Sequence, residues 1–224
     1  MPTIVLNPAH GGTDSGAHGA SGLSEKDLAL NIARAIRNEL ARQGLRVVMV
    51  RDSDANPSFD DRAGTANALA NAVFISLHIS STGSTGTART YFYRFAAPFA
   101  FPGASADGGP IPAAQAASSG LIPWDEAQRN YVAASHRLAG ILQASLGQRF
   151  AGSPTASASA PVRELRSVAS PAVAIELSSI SASNPAVVGG MAVPLASAIA
   201  QSVMQFQSSA SEPSGAGAAS GGTP

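Results

Sequence analysis

The spacing of apolar positions at the start of the chain predicts a buried strand followed by an amphipathic helix. Residues 3–7 form a short apolar run that is typical of a strand. Apolar residues then recur every four positions from Leu28 to Leu40, which places them on one face of a helix. The segment Ser24-Glu25-Lys26-Asp27 has the Ser-x-x-acid form of a capping box, and Gly44 ends the predicted helix.

The same alternation of strand and helix patterns continues along the chain. Further strands are predicted at residues 46–50, 73–77, 89–95, 162–165 and 172–177, and further helices at residues 57–71, 124–147 and 186–207. Strands that alternate with helices at this spacing indicate an α/β fold, with a largely parallel sheet covered by helices on both faces. Ligands of such folds collect beyond the carboxyl ends of the strands.

Two segments lack this pattern and bound the predicted domain. Residues 96–123 are rich in Ala, Pro, Gly and Ser without a periodic apolar face, and we interpret them as an inserted loop. Residues 208–224 consist almost entirely of Ser, Gly, Ala, Pro and Thr. Such a segment cannot bury enough apolar surface to fold, so we expect disorder or a linker there. Residues 1–207 are therefore the predicted domain.

Composition and charge exclude several classes of partner and site. The 224 residues are 45% hydrophobic, which is enough for one core. The 14 basic and 14 acidic residues balance and form no basic cluster, so we expect no binding to nucleic acid or to an anionic membrane. Cysteine is absent, so a metal would need His, Asp or Glu as ligands. We recognise no export signal and no uninterrupted apolar run long enough to span a membrane.

Three potential metal ligands fall at one edge of the predicted sheet. His10 lies in a glycine-rich loop after the first strand, His78 follows the third strand directly, and Glu25 opens the first helix. Two imidazoles and one carboxylate are a ligand set that leaves zinc a fourth position for water. Taken singly, each residue has another explanation: a loop histidine, a polar group at a strand end, and an acid that stabilises the helix dipole.

A fourth candidate is Glu176, a lone carboxylate in the strand "PAVAIELSS", where we expect it to be almost fully buried. A buried acid without a partner is costly or becomes neutral. Beside a metal-activated water, a carboxylate of raised proton affinity can serve as the general base. The alternative is a structural salt bridge to Arg163 or Arg166.

Several short motifs together carry a resemblance to a known family. The chain resembles the zinc-dependent N-acetylmuramoyl-L-alanine amidases of the type 3 catalytic domain, which cleave the amide between the muramic acid lactyl group and the L-alanine of the peptidoglycan stem peptide. The matching segments are Pro8-Ala9-His10-Gly11-Gly12, Glu25-Lys26-Asp27, Arg51-Asp52, Asp61-Arg62 with Ala66-Asn67, Ser76-Leu77-His78, Leu165-Arg166 and Ile175-Glu176-Leu177.

The resemblance covers about residues 3–206 and implies a single α/β domain with a twisted, mostly parallel sheet. It implies that His10, Glu25 and His78 bind zinc and that Glu176 is the catalytic glutamate. The expected partner is peptidoglycan, which places the protein in the periplasm or outside the cell. We further expect a monomer, with an activator or a regulatory protein as a second partner. The alternatives are another zinc amidohydrolase or peptidase on this scaffold, and a non-catalytic peptidoglycan-binding module.

Some positions depart from the family pattern or lack an assigned role. Ala9 stands where the family has glycine, and Ile79-Ser80 replaces Ala-Asn after the third ligand. Arg166 could hold a carboxylate of the stem peptide, because guanidinium matches carboxylate in a two-pronged geometry, or it could pair with Glu164. A further hypothesis makes the insert an inhibitory plug, with an acid that reaches the zinc. The acids considered for it are Asp107, Asp125 and Glu126.

Overall fold

The structure of the chain is a computed structural model that describes residues 1–19, 22–95, 122–181 and 185–211. The strands in these ranges are β1 (Thr3–Pro8), β2 (Val47–Met49), β3 (Ala72–Ser80), β4 (Thr87–Tyr93), β5 (Ala158–Ala160) and β6 (Ala172–Ser178). The α-helices are α1 (Glu25–Arg42), α2 (Phe59–Asn67), α3 (Val132–Arg149), α4 (Pro185–Gly190) and α5 (Ala192–Ser211). Two 3-10 helices cover Trp124–Tyr131 and Arg163–Leu165.

The six strands form one sheet in the order β2-β1-β3-β6-β4-β5. Neighbouring strands run parallel except for β4 and β6, which pair antiparallel. The central strands β1, β3 and β6 therefore end at the same edge. This arrangement confirms the predicted α/β domain with a mostly parallel sheet.

Helices cover both faces of the sheet, as the sequence predicts. On the first face, α1, α3 and α5 bury an apolar layer that includes Ile4, Ile36 and Ile175. On the second face, a smaller layer packs α2 and the 3-10 helix Arg163–Leu165 against Val5 and Phe74. Burial of apolar surface in these two layers is the main stabilising contribution to the fold.

The second face changes from apolar to polar towards the carboxyl ends of β1, β3 and β6. Alternate residues of a strand lie on the same face, so each strand can be followed in steps of two. The successive residues on this face are Val5 and Asn7 in β1, Phe74, Ser76 and His78 in β3, and Ala172, Ala174 and Glu176 in β6. The apolar layer thus stops where the polar residues of the candidate site begin.

Several element predictions were wrong in detail. His78 does not follow β3 but lies within it, because pairing with β6 continues to Ser80. The segment predicted as a strand at residues 162–165 forms a 3-10 helix instead, and the short strand β5 was not predicted. The predicted helix at residues 124–147 is divided into a 3-10 helix and α3, and that at residues 186–207 into α4 and α5.

The predicted capping box at the start of α1 was also wrong. Ser24 makes no side-chain bond to the helix backbone; its hydroxyl donates to the carboxylate of Asp27. A capping box instead begins α2, where Ser58 accepts a hydrogen bond from the main-chain N–H of Asp61 and the Asp61 carboxylate accepts one from that of Ser58.

The C-terminal helical segment bears on the prediction that no membrane span is present. Residues Ala186–Ser209 are long and apolar enough to cross a membrane by length and composition, and 56% of the most apolar window is buried inside the protein. Leu195 and Ile199 of α5 are fully buried in the layer that contains α1 and α3. These contacts are those of a core helix, and a core helix meets the same criterion.

The predicted domain boundary and the predicted insert lie at the limits of the described residues. Helix α5 continues past residue 207 to Ser211. The predicted tail beyond this point lies outside the described residues, as does the predicted insert up to residue 121. Asp107, one of the acids considered for an inhibitory plug, lies in that insert.

Candidate metal centre

Three side chains that are distant in sequence converge beyond the end of β1. His10, Glu25 and His78 each offer one ligand atom, and these atoms lie within 4.8 Å of one another. The two imidazole rings meet edge to face, with their centroids 5.6 Å apart. The structure thus brings together the three residues that the sequence singles out as metal ligands.

The loop after β1 presents His10 through an unusual backbone. His10 itself has a φ of 61°, and Gly11 follows with a φ of 136°. A side chain at Gly11 would place its Cβ 1.9 Å from the main-chain oxygen of Ala55, so only glycine fits there. Ala9, in contrast, is buried and has no positive φ. Alanine therefore fits at position 9, because the residues with positive φ, His10 and Gly11, follow it.

A buried arginine, Arg51, holds the start of this loop. Its Nε donates to the main-chain oxygen of Pro8 at 2.9 Å, and its Nη2 donates to that of Ala9 at 2.9 Å and of Lys26 at 2.8 Å. The side chain therefore ties the loop to the first turn of α1, which carries Glu25. Burial, together with the nearby charge of Arg62, lowers the pKa of Arg51.

Arg62 of α2 holds the end of β1 and the start of the same loop. Its Nη1 donates to Asn7 Oδ1 at 2.6 Å and to the main-chain oxygen of Pro8 at 3.1 Å, and its Nη2 donates to that of His10 at 3.0 Å. Within the described part of the chain, neither Arg51 nor Arg62 forms an ion pair. Both guanidinium groups instead donate hydrogen bonds to main-chain oxygens at the start of the loop, and these bonds hold the backbone around His10.

Glu25 bridges the two histidines and is itself held by main-chain donors. Its Oε1 lies 3.1 Å from His78 Nδ1 and accepts the N–H of Ile79 at 3.0 Å. Its Oε2 lies 3.2 Å from His10 Nε2 and accepts the N–H of Ala17 at 2.9 Å. Burial opposes ionisation of Glu25, but the hydrogen bonds with His10 and His78 outweigh it and hold the pKa well below its usual range.

Each histidine also contacts a second carboxylate through its other ring nitrogen. His10 Nδ1 lies 2.9 Å from Asp14 Oδ2, and His78 Nε2 makes a short contact with Glu164 Oε1. The bond with Glu25 raises the pKa of His10 despite the opposing effect of burial. Burial likewise lowers the pKa of His78, but the bonds with Glu164 and Glu25 outweigh it and raise this pKa to about 10.

Sequence reasoning missed both outer carboxylates. Glu164 lies in the segment predicted as a strand, and Asp14 lies four residues after His10 in the glycine-rich loop. Burial raises the pKa of Glu164, but the bond with His78 outweighs it and lowers this pKa to about 2. No sequence motif marks Glu164. Asp14 could have been identified from the sequence, because it is a carboxylate close after His10 in the same loop.

The donor set at this centre fits a zinc ion. Two imidazole nitrogens and a carboxylate oxygen are the ligands that zinc accepts alongside water, and no thiolate is needed. Both histidines face Glu25 with one ring nitrogen, while the opposite nitrogen is held by an acid. This pattern of ligand and outer carboxylate is common at protein metal sites.

Glu176 lies beside this centre but differs from its prediction in burial. It is the direct partner of His78 in the pairing of β6 with β3, so both side chains project from the same face. With His78 and Tyr91 it lines a cavity of about 330 Å³, and it is partly exposed instead of almost fully buried. The physical reason is that the apolar layer of this face ends before Glu176.

The alternative salt bridges of Glu176 do not form in the described structure. Arg163 lies over the ring of Phe59 at 4.6 Å, and Arg166 pairs with Asp125 at 2.7 Å. The suggested pair between Arg166 and Glu164 is absent as well, because Glu164 faces His78. Arg166 Nε donates in addition to the main-chain oxygen of Asp125 at 2.7 Å.

These contacts bear on two further hypotheses. Arg166 donates two hydrogen bonds to Asp125, and it does not line the cavities beside His78. These contacts do not support the hypothesis that Arg166 holds a carboxylate of the substrate. Of the acids considered for an inhibitory plug, Asp125 is thus paired, and Glu126 pairs with Arg129 at 2.9 Å.

Comparison with known sequences identifies relatives over part of the chain. A sporulation-specific N-acetylmuramoyl-L-alanine amidase of Bacillus subtilis is 41% identical over 95 residues, which is 42% of this chain and 36% of the relative. An endolysin of Bacillus phage SPP1 is 40% identical over 91 residues, which is 40% of this chain and 33% of the relative. The match thus spans about a third of the length of these curated relatives.

Solved structures share the fold over almost the whole chain. N-acetylmuramoyl-L-alanine amidase AmiC2 of Nostoc punctiforme superposes with a TM-score of 0.65 at 21% identity, covering 92% of this chain and 97% of that one. The N-acetylmuramoyl-L-alanine amidase of Clostridium difficile 630 gives a TM-score of 0.64 at 24% identity, covering 93% and 97%. The sequence model of the N-acetylmuramoyl-L-alanine amidase family matches residues 4–188. The chain therefore belongs to the N-acetylmuramoyl-L-alanine amidase family.

Proposed function

We propose that this protein is a zinc-dependent hydrolase that cleaves the amide between N-acetylmuramic acid and the L-alanine of the peptidoglycan stem peptide. The observation that carries the proposal is the convergence of His10, Glu25 and His78 within 4.8 Å, with Glu176 paired to His78 on the next strand. The names of the curated relatives and family membership point to the same reaction.

The protein residues divide into a metal-binding group and a proton-transfer group. His10 Nε2, a carboxylate oxygen of Glu25 and His78 Nδ1 would hold the zinc, since these atoms face one another. Zinc bound at this position would polarise an amide carbonyl and lower the pKa of water, and both effects favour hydrolysis of an unactivated amide.

Glu176 is the proposed general base and acid. Its carboxylate takes a proton from the attacking water as the new carbon–oxygen bond forms at the lactyl carbonyl. It then passes that proton to the alanine nitrogen as the carbon–nitrogen bond breaks, which leaves a carboxylate on the glycan and a free amine on the peptide. Its partial exposure suits this role, because the cavity that it lines with His78 and Tyr91 admits a substrate.

The cavities on either side of His78 give the substrate two directions in which to extend. One cavity, of about 320 Å³, includes His10, Phe59 and Arg62, and the other includes Glu176 and Tyr91. A peptidoglycan strand carries glycan on one side of the scissile amide and peptide on the other, so a site open on two sides suits it. We accordingly place the protein in the periplasm or outside the cell, where peptidoglycan lies, and propose that it acts as a monomer together with an activator or regulatory protein.

Purified sacculi test this proposal. The zinc-loaded chain is expected to release stem peptides with new amino termini and to leave lactyl carboxylates on the glycan. Glu176→Gln should keep the zinc and lose about 100-fold or more in turnover. Glu39→Gln is the matched control, because Glu39 pairs with Arg42 at the far end of α1.

Other outcomes would favour the alternative functions. Hydrolysis of soluble dipeptides with intact sacculi would indicate a different zinc amidohydrolase or peptidase. Binding to sacculi without zinc and without cleavage would indicate a peptidoglycan-binding module. Full activity of Glu176→Gln would contradict the proposed role of Glu176 as the general base.

A further inference from the structure

Glu164 is a buried acid that the proposed reaction does not use directly. It lies in the 3-10 helix Arg163–Leu165 with 8% of its surface exposed. Its Oε1 accepts the hydroxyl of Ser76 at 2.9 Å and contacts His78 Nε2. An ionised carboxylate in such a place is costly unless donors surround it, so these contacts explain why it is held there.

The direction of the hydrogen bonds around Glu164 can be derived from Arg62. A guanidinium can only donate, so Asn7 Oδ1, which lies 2.6 Å from Arg62 Nη1, is an acceptor. Asn7 Nδ2 therefore donates to Ser76 Oγ at 2.9 Å, and the Ser76 hydroxyl is left to donate to Glu164. Glu164 is then an acceptor towards His78, and the hydrogen lies on His78 Nε2.

We propose that Glu164 is a positioning residue that fixes the ring orientation and the tautomer of His78. With Nε2 committed as a donor to Glu164, Nδ1 is the nitrogen that presents a lone pair to a metal shared with His10 and Glu25. An outer carboxylate of this kind also strengthens the histidine as a ligand. The inference rests on the proposed metal centre.

Asp14 provides a comparison within the same protein. It contacts His10 Nδ1 at 2.9 Å in the same way, but 52% of its side chain is exposed against 9% for Glu164. Water can replace the exposed carboxylate more readily than the buried one. Removal of Asp14 should therefore weaken zinc binding much less than removal of Glu164.

Zinc affinity, measured by competition with a chelator, tests the role of Glu164 without depending on turnover. Glu164→Ala should bind zinc about 10–100-fold more weakly than the wild type. Glu164→Gln should recover part of the loss, because its amide oxygen still accepts the His78 hydrogen. Asp14→Asn, which changes the exposed carboxylate beside His10, is the comparison variant for zinc affinity. In the zinc-bound wild type, ¹⁵N NMR should show the hydrogen of His78 on Nε2.

The outcomes separate this inference from the proposed function. A wild-type chain that binds no zinc would overturn the metal centre itself. Tight binding by the wild type with equal affinity in Glu164→Ala would overturn only the role of Glu164. An Nδ1 hydrogen on His78 in the zinc-bound wild type would overturn it too, and this measurement does not depend on the folding of any variant.

A second inference comes from the register of β3, β6 and β4. His78 is paired with Glu176, and Glu176 is paired with Arg89 on the other side. Directly paired residues project from the same face, so these three side chains form one row across the sheet. Arg89 therefore lies on the side of the proposed base that is opposite His78.

Arg89 is available to a ligand. Its side chain is exposed, with Cζ 5.8 Å from the ring centre of Tyr91, and no ion pair or hydrogen bond of its guanidinium is found within the described ranges. With Glu176 it lines a cavity of about 360 Å³. This cavity shares Glu176 and Tyr91 with the cavity beside His78, so the two cavities adjoin, one beside the candidate metal centre and the other beside Arg89.

We infer that Arg89 binds a carboxylate of the peptide part of the substrate. A guanidinium pairs with a carboxylate through two parallel hydrogen bonds, which gives orientation as well as affinity. This assignment gives Arg89 the role that was considered for Arg166, whose guanidinium is already engaged by Asp125. The inference rests on the proposed peptide-bearing substrate.

Two forms of the same muropeptide test the inference: one with free stem-peptide carboxylates and one with these groups converted to amides. For the free acid, Arg89→Gln should raise KM about tenfold or more with little change in kcat. For the amide form, the variant and the wild type should have similar KM values. Arg46→Gln, at an exposed position before β2, is the matched control.

An unchanged KM of Arg89→Gln on the free acid, or an equal loss on both substrates, would overturn the role of Arg89. Failure of the wild type to hydrolyse either substrate would instead count against the proposed function.

Discussion

Arg62 Nη2 donates a hydrogen bond of 3.0 Å to the main-chain oxygen of His10. The bond joins α2 to the loop that presents a candidate metal ligand in a left-handed conformation. The same guanidinium also binds Asn7, which begins the hydrogen-bonded series that leads to Glu164 and His78. One buried cation thus supports both candidate histidine ligands.

Arg62→Lys should keep the charge but lose most of these bonds. Because hydrogen bonds to charged groups contribute about 1.5–3 kcal/mol each, we expect the free energy of unfolding to fall by at least about 2 kcal/mol. Zinc affinity should fall as well, since the loop is no longer fixed. Urea denaturation and chelator competition measure the two effects.

The control is Arg42→Lys, because 72% of the Arg42 side chain is exposed and Arg42 pairs with Glu39 on the same helix. Equal stability and equal zinc affinity in Arg62→Lys and the wild type would contradict the assigned role.

Gly16→Ala should disrupt the candidate metal centre sterically. A Cβ at Gly16 would lie 2.6 Å from His10 Cδ2 and 2.7 Å from Glu25 Oε2, so at least one of these side chains must move. Gly44→Ala is a matched control, because Gly44 also has a positive φ, of 77°, but no atom lies within 4 Å of its added Cβ. Both variants place alanine at a position with positive φ, so they carry a similar backbone strain. Only Gly16→Ala should lose zinc, and the metal content after dialysis measures this loss.

Zinc affinity should rise with pH. The pKa of His78 is raised to about 10, so this ring is protonated in the metal-free protein at neutral pH, and the raised pKa of His10 favours the protonated form of that ring as well. Protons must leave before the nitrogens can bind a metal, and each released proton makes binding about tenfold tighter per pH unit. Calorimetry in buffers of different protonation enthalpy measures the release; binding without proton release would contradict this prediction.

The raised pKa of His78 also makes the stability of the metal-free protein depend on pH, but in the direction opposite to that of zinc affinity. A pKa that is higher in the folded state than in the unfolded state stabilises the fold at low pH. The contribution of His78 is fully present below its usual pKa of 6.5 and is lost as the pH rises through about 10. Thermal unfolding of the metal-free protein across this interval should therefore show decreasing stability.

The sequence predicted the convergence of His10, Glu25 and His78 because each position follows from local pattern and one topological rule. The rule that ligands collect beyond the carboxyl ends of parallel strands does not require the exact end of β3. The error on His78, which lies inside the strand, therefore left the prediction of the site unaffected.

Glu164 and Arg89 could not be predicted because their roles depend on long-range geometry. Glu164 meets His78 across 86 positions of the sequence, from a turn that local pattern indicated as a strand. Arg89 lies beside Glu176 only through the antiparallel register of β4, and no pattern in β4 specifies its partner. The predicted burial of Glu176 was too high for a related reason. The apolar run of β6 does not reveal that the apolar layer on the second face of the sheet ends at Ala174.

Crystals of the zinc-loaded chain, measured on both sides of the zinc absorption edge, would test the metal centre most directly. We predict one anomalous peak at about 2.0–2.2 Å from His10 Nε2, a carboxylate oxygen of Glu25 and His78 Nδ1. A protein that takes up zinc with the peak elsewhere, or that shows none between these three residues, would contradict the account.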